Sequence, residues 1–546
     1  DALPILVNWK NWASSSYNRT IEPYYYGIKG GSYNPSNPTD YEIERLGTSG
    51  TDYLKTSDIS KASDQTFYLD ARVNYDRQFN LHHVTGMLMY MQREYRSSVL
   101  PERNQGFSGR FTYDYGQRYL VELNFGYNGT ERLAKKERFE FFPAVSLGWV
   151  ISNEKFFEPM TKYIDNLKIR GSYGLVGSDE TGLSAGAQHF LYIDQVSLNN
   201  IGFTTGVDMN YTLYGPLVTN YAVVNGGWER VKKLDIGIDL ELFRQLTITA
   251  DYFNEKRYNI LLHREAWPES LGYYTAKPWS NKGKVDNWGI ELSVNWRKEF
   301  TKDLYVDFRG NFTYTENKYV NLDEPVYPYV WKTSTGKPLS RTTGYIAQGL
   351  FSSQEEIDNS PTQNLGSTVK PGDIKYRDVN GDGKIDGSDQ VMISPYGTTP
   401  RIQYGLGMNV TYKKFDFGVF FNGSAKRTIM ISGISPFGQS DYNVMQFIAD
   451  DYWSESNPNP NAKYPRLGLT SSQTANNTVA STYWMRNGNF IRFKTLELGY
   501  KFKYGRVYLN GDNIAVFSPF KLWDPELSWN AYPLQRTFNI GVQLNF

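Results

Sequence analysis

The chain of 546 residues carries 58 Lys and Arg against 57 Asp and Glu, a formal charge of +1, and no Cys. Without cysteine there is no disulfide scaffold, no Cys-based zinc site and no thiol catalysis, and the balanced charge lacks the positive field that a nucleic-acid partner would favour. Aromatic residues reach 16% of the chain, 43 of them Tyr and 13 Trp, while the mean hydropathy is a polar −0.55; no run approaches the ~20 apolar residues of a membrane-spanning helix, a test that says nothing against a barrel of alternating strands.

In chain order, the segment from Thr20 to Gly30 (TIEPYYYGIKG) reads as a first strand. Phe67, Leu69, Ala71, Val73 and Tyr75 then alternate with Tyr68, Asp70, Arg72, Asn74 and Asp76, which gives one apolar and one wet face. The same period of two returns at Tyr119 to Tyr127, Leu234 to Leu242, Leu246 to Tyr252, Trp288 to Trp296, Leu304 to Phe312 and Ile402 to Tyr412. It closes the chain with Phe538, Ile540, Val542, Leu544 and Phe546. We count roughly sixteen such segments, many reaching the ~9–11 residues that a tilted strand needs to cross a bilayer.

The connections come in two lengths. Links such as Arg244-Gln245 and Lys413-Lys414 are hairpin-sized, whereas residues 176–228, 262–282, 320–400 and 424–482 are long and rich in Gly, Pro, Asn and Ser. Short turns on one side and long loops on the other are the asymmetry of a transmembrane antiparallel β-barrel. A secreted propeller or sandwich array also alternates, but with shorter strands, and no blade-like repeat is visible.

The stretch PGDIKYRDVNGDGKIDGSD (Pro371 to Asp389), with GLFSSQEEID (Gly349 to Asp358) before it, resembles the SusC-type, or RagA-type, TonB-dependent outer-membrane transporters. YDRQFNLHHVTGMLMYMQREY (Tyr75 to Tyr95), the run from Leu100 to Phe157 and STYWMRNGNFIRFKTLELGY (Ser481 to Tyr500) share the likeness, which extends along the whole chain. The resemblance implies an all-β chain forming the C-terminal part of a barrel of about 22 strands, in the outer membrane of a Gram-negative bacterium. It also implies a SusD-like surface lipoprotein, coupling to TonB through an N-terminal plug, an oligosaccharide or sometimes peptide substrate, and no bond chemistry. Nothing in this chain reads as the plug, so the chain is expected to begin inside the barrel and to leave two open sheet edges. A passive porin-like channel and a secreted calcium-dependent glycan-binding protein are the rival readings.

Two sets of residues carry candidate chemistry. Asp378, Asn380, Asp382, the carbonyl of Lys384, Asp386 and Asp389 stand at positions 1, 3, 5, 7, 9 and 12 of a calcium-type loop, 378–389, with Gly383 at the sharp turn. Calcium is expected there, with magnesium as the alternative, and an ion-free acidic turn as the plainer reading. The second set is aromatic: Trp267, Tyr273, Tyr274 and Trp279, then Tyr329 and Trp331, then Tyr442 and Trp453. Flat rings suit sugar faces, although for any one of them loop packing or a membrane girdle is the plainer and preferred account. The string Gly182 to Gly186 matches a nucleophile elbow but sits in a Gly-rich connection without the strand and helix an elbow needs, so no catalytic residue is assigned.

Overall fold

The computed structural model describes residues 5–545 except 18, 33, 35, 38–39, 57–58, 98–99, 182–189, 224–225, 269, 271–276, 432–443, 469 and 529–530. Sixteen strands form one sheet, hydrogen-bonded in chain order. They are β1 (Ile5–Ser16), β2 (Ser60–Phe79), β3 (His82–Arg96), β4 (Glu102–Tyr115), β5 (Tyr119–Thr130), β6 (Phe139–Val150), β7 (Ile164–Ser178) and β8 (Glu229–Leu242). The rest are β9 (Leu246–His263), β10 (Trp279–Thr301), β11 (Leu304–Asn321), β12 (Ile402–Tyr412), β13 (Phe415–Ala425), β14 (Phe490–Phe502), β15 (Gly505–Phe517) and β16 (Thr537–Leu544). The order ends on β1 at one side and β16 at the other.

Contacts divide the chain into two units, the first holding residues 1–74, 87–109 and 127–131. In it β1 pairs with β2 from Ile5 opposite Ala71 to Ser16 opposite Ser60. The stretch read as a first strand, Thr20 to Gly30, is not in the sheet. Arg19–Thr20 and Tyr26–Ile28 instead form small ribbons with Lys55–Thr56 and Ile43–Arg45. Pro23 lies between the two pieces, and a proline has no N–H to give to a ladder.

The second unit contains β6 to β16 whole. One tight turn is built for the strand twist: of the three residues between Leu242 and its partner Leu246, Phe243 and Arg244 both lie in the left-handed region, at φ +55° and +54°, as the two central positions of a type I′ turn require. Antiparallel register lines up Ile236, Tyr252, Ile290 and Tyr314 in one row across β8 to β11, and Ile238, Ala250, Leu292 and Phe312 in the next. These rows stay uncovered, with Ile236 48% and Ile238 45% exposed. The opposite face carries the charge. Arg170 on β7 reaches Asp235 at 3.2 Å, Asp239 at 3.3 Å and Asp251 at 2.7 Å. A sheet that shows its apolar face outward and pairs its charges on the other is inverted relative to a water-soluble sandwich; burying that face in lipid recovers about 25 cal/mol per Å².

Candidate functional site

The buried apolar core of the second unit lies in the connections rather than between sheet layers. Residues 322–401 and 426–489 each contain short strands that find partners. Ala347–Leu350 pairs with Ile374–Tyr376, Thr342–Gly344 with Val391–Ser394, Thr362–Gln363 runs parallel to Lys384–Ile385, and Thr428–Met430 pairs with Met485–Asn487. Leu350, Ile374, Tyr376 and Ile385 from the first connection pack with Ile448, Trp453, Tyr464 and Trp484 from the second. The described parts of the two long loops thus share one buried core.

A buried polar hub joins them. The Asp373 carboxylate accepts from Asn477 Nδ2 at 2.7 Å and from the Lys370 N–H at 2.8 Å, and meets Arg466 Nε at 2.7 Å. Burial pushes the Asp373 carboxyl above its ordinary value despite Arg466 beside it. Gln363, also buried, donates to the Ile374 carbonyl and to Asn476, and accepts from the Tyr376 N–H. Asp373 lies within the Pro371 to Asp389 stretch, but nothing local in the sequence marks its partners: Gln363, Asn476 and Asn477 are ordinary polar residues, and Asp373 and Asn477 stand 104 positions apart.

The acidic loop 378–389 is closed by its own carboxylates. Asp378 accepts from the N–H groups of Gly381 at 2.7 Å and Gly383 at 2.8 Å, and Asp382 from Lys384 at 2.9 Å. Gly381 and Gly383 take φ +75° and +79°, a conformation only glycine enters freely. Asn380 and Asp382 touch at 2.9 Å. Asp386 caps the single turn Gly387–Asp389 in a reciprocal box with Asp389, and the Ser388 N–H holds its carboxyl below the usual range. Asp389 is fully buried and accepts from Val379 at 2.8 Å and from Asp386 at 2.9 Å. Among the described residues no group of three or more His, Asp or Glu is gathered closely enough to hold a metal as it stands.

Two of the expected aromatics meet this loop. Tyr329 and Trp331 stack with ring centroids 4.8 Å apart and planes 12° from parallel. Each is pinned by its polar tip: Asn380 Nδ2 donates to the Tyr329 hydroxyl at 3.0 Å, and Trp331 Nε1 to the Ser388 carbonyl at 2.8 Å. Lys332 reaches the Gly387 carbonyl alongside. The residues expected to bind an ion and those expected to stack a sugar therefore form one assembly, a partly exposed aromatic ledge on a hydrogen-bonded base.

The other aromatics separate. Trp453 is only 5% exposed and lies against Gly372, where an added Cβ would come 2.2 Å from its ring; it is core, a correction to its reading as a ligand contact. Trp267 lies under Arg264, and Trp279 lies against His263 with the ring planes tilted by 33°. Tyr273, Tyr274 and Tyr442 lie outside the described residues, as do Gly182 to Gly186 and the terminal Phe546.

Comparison with known proteins agrees with this architecture. Residues 6–514 match the family model described as TonB-dependent receptor-like, β-barrel. The TonB-dependent receptor P3 of Formosa agariphila is 25% identical over 478 residues, 80% of this chain and 45% of that protein. The TonB-dependent receptor SusC of Bacteroides thetaiotaomicron is 27% identical over 469 residues, 81% of this chain and 43% of that one. The chain thus spans less than half the length of these curated relatives. Among solved structures, the RagAB peptide transporter superposes with a TM-score of 0.67 at 18% identity, covering 99% of this chain and 59% of its counterpart, a likeness of fold. The chain belongs to the TonB-dependent receptor-like β-barrel family, an outer-membrane family of transporters and not of enzymes.

Proposed function

We propose that this chain is the barrel portion of an active importer that takes oligosaccharides from the cell surface to the periplasm, with TonB supplying the energy through a plug and a SusD-like surface lipoprotein covering the mouth. The observation that carries the sugar reading is the Tyr329–Trp331 ledge. The Trp331 N–H is spent on the Ser388 carbonyl and the Tyr329 hydroxyl is held by Asn380, so what the rings chiefly offer is flat apolar surface, the complement of a pyranose face, with the Tyr329 O–H left as a donor at its edge. Because hydrogen bonds hold the rings in place, little ordering entropy opposes stacking. The exposed apolar rows on β8 to β11 support a membrane barrel over a secreted glycan-binding protein, and kinship with TonB-dependent receptors supports energised import over a passive channel. Import of peptides is the second reading, favoured by the fold shared with the RagAB peptide transporter.

We propose also that loop 378–389 takes up calcium, or magnesium, through Asp378, Asn380, Asp382, Lys384, Asp386 and Asp389. Each carboxylate oxygen that accepts a backbone N–H keeps a lone pair for a cation, and the alternate spacing with Gly383 in the turn supports the assignment; the side chains would have to draw together on binding.

The test is growth of a strain lacking the gene, complemented with the full-length protein carrying Tyr329→Ala and Trp331→Ala. Growth on the oligosaccharide should fall while barrel abundance in the outer membrane holds. Undiminished growth on sugar, or a loss confined to peptide medium, would refute the sugar reading.

A further inference from the structure

A concave surface that shares no lining residue with the aromatic ledge lies on the same folded loop body. The short helix Gln354–Asp358 and the segment 361–369 face one another across an open cleft of 670 Å³, within the range that small-molecule sites occupy. The cleft has a rigid wall. The Thr362 N–H donates to the Gly383 carbonyl at 3.1 Å and the Asn364 N–H to the Ile385 carbonyl at 2.9 Å, so residues 362–364 run extended. Alternation along an extended chain separates their side chains: Gln363 is locked inward to Ile374, Tyr376 and Asn476, while Thr362 and Asn364 face out together, about 6.6 Å apart along the chain. Both line the cleft, with Thr368 beside them. No hydrogen bond within the described chain engages these three side chains, although the backbone at Thr362 and Asn364 is held. The one carboxylate on the rim, Asp358, is partly engaged by the Gln354 amide at 2.8 Å.

We infer that this cleft is a separate capture site for a neutral, hydroxyl-rich ligand, an oligosaccharide segment held by the free hydroxyl and amide groups of Thr362, Asn364 and Thr368. The inference rests on the glycan reading above and adds to it a subsite whose polar groups come from the segment 362–368. The held backbone is the physical reason to expect binding here: it fixes the spacing and outward face of Thr362 and Asn364, so a ligand has only their side chains to order, whereas on a free loop the backbone would have to be ordered as well. The near absence of charge in the cleft favours a neutral sugar over a charged peptide terminus.

The test uses the intact transporter purified in mild detergent and isothermal titration with neutral gluco-, manno- and fructo-oligosaccharides, with a mixed peptide digest as the alternative probe. The variants are Thr362→Val with Asn364→Ala, and separately Trp331→Ala. Both changed positions in the double variant are exposed, so folding should be unaffected. Losing two hydrogen bonds should weaken binding of the preferred sugar about tenfold or more, with Trp331→Ala weakening it independently. If the wild type binds sugar and the double variant binds it equally well, the cleft is not a subsite and the glycan reading stands. If the wild type binds only the peptide digest, both proposals fall together.

Discussion

Asp373 holds the loop body together at the level of a single side chain. Replacing it with Ala would leave Arg466, little exposed, without its charge partner, and would free Asn477 and the Lys370 N–H. Breaking a buried pair from one side costs about 3–5 kcal/mol. Asp373→Ala should therefore speed hydrogen exchange around residues 371–377 and 474–477 while the strands of the sheet stay protected. Exchange no faster than in a Thr368→Ala control would show that the hub is dispensable. Glu356 supplies a pH dependence. The Ser352 N–H, at 2.9 Å, and Lys375 Nζ, at 2.9 Å, hold its carboxyl at about 2, below the ordinary 4.5. Because the folded state favours the ionised form, its contribution is complete above pH 4.5 and disappears as pH falls toward 2. Exchange in residues 352–358 should rise across that window and lose this step in Glu356→Gln; an identical profile in the variant would remove Glu356 as the cause. The proposed cation is tested on the same body. Chelation should raise protease cleavage within 378–389 and calcium should restore protection, with Asp382→Ala insensitive to both; a wild type indifferent to chelator would mean that carboxylate-to-backbone bonds close the loop unaided.

At the scale of elements, the strands were legible because a two-residue period with one apolar face needs only local sequence to be seen. Leu234 to Leu242 and Trp288 to Trp296 fall inside β8 and β10 as read. The first strand was misplaced for an equally local reason. Thr20 to Gly30 is aromatic enough to resemble a strand, while Ile5 to Ser16, the true β1, ends in a run of Ala and Ser that hides its alternation. What could not be read was the union of the two long loops, since it rests on contacts between residues a hundred positions apart and on polar groups that look like any others. Trp453 and Trp331 are the same residue type in similar loops; only the fold buries one under Gly372 and leaves the other on the ledge. The exposed strand rows yield a direct prediction. Ile238→Lys puts a charge on the outer face, at a cost of roughly 2–4 kcal/mol if the position lies near the bilayer midplane. It should lower the urea midpoint of the barrel in lipid vesicles, while Asp251→Asn, on the opposite face, should cost less. Equal midpoints for Ile238→Lys and the wild type would place that face away from lipid.

At the largest scale, the apolar strand face, the charged strand face and the long connections each draw on a different part of the sequence. Apolar rows on β8 to β11 suit the bilayer, the Arg170 cluster suits water, and the described parts of the connections 322–401 and 426–489 share a core that carries the ledge and the cleft. Such a body costs ordering entropy that a simple channel has no reason to meet, which is why a recognition role is assigned to it. Uptake of a labelled neutral oligosaccharide by cells carrying the full-length protein, measured with TonB intact and with TonB removed, tests this account most directly. The account predicts uptake that stops without TonB and that excess unlabelled peptide does not compete away; uptake that persists without TonB, or that peptide abolishes, would contradict it.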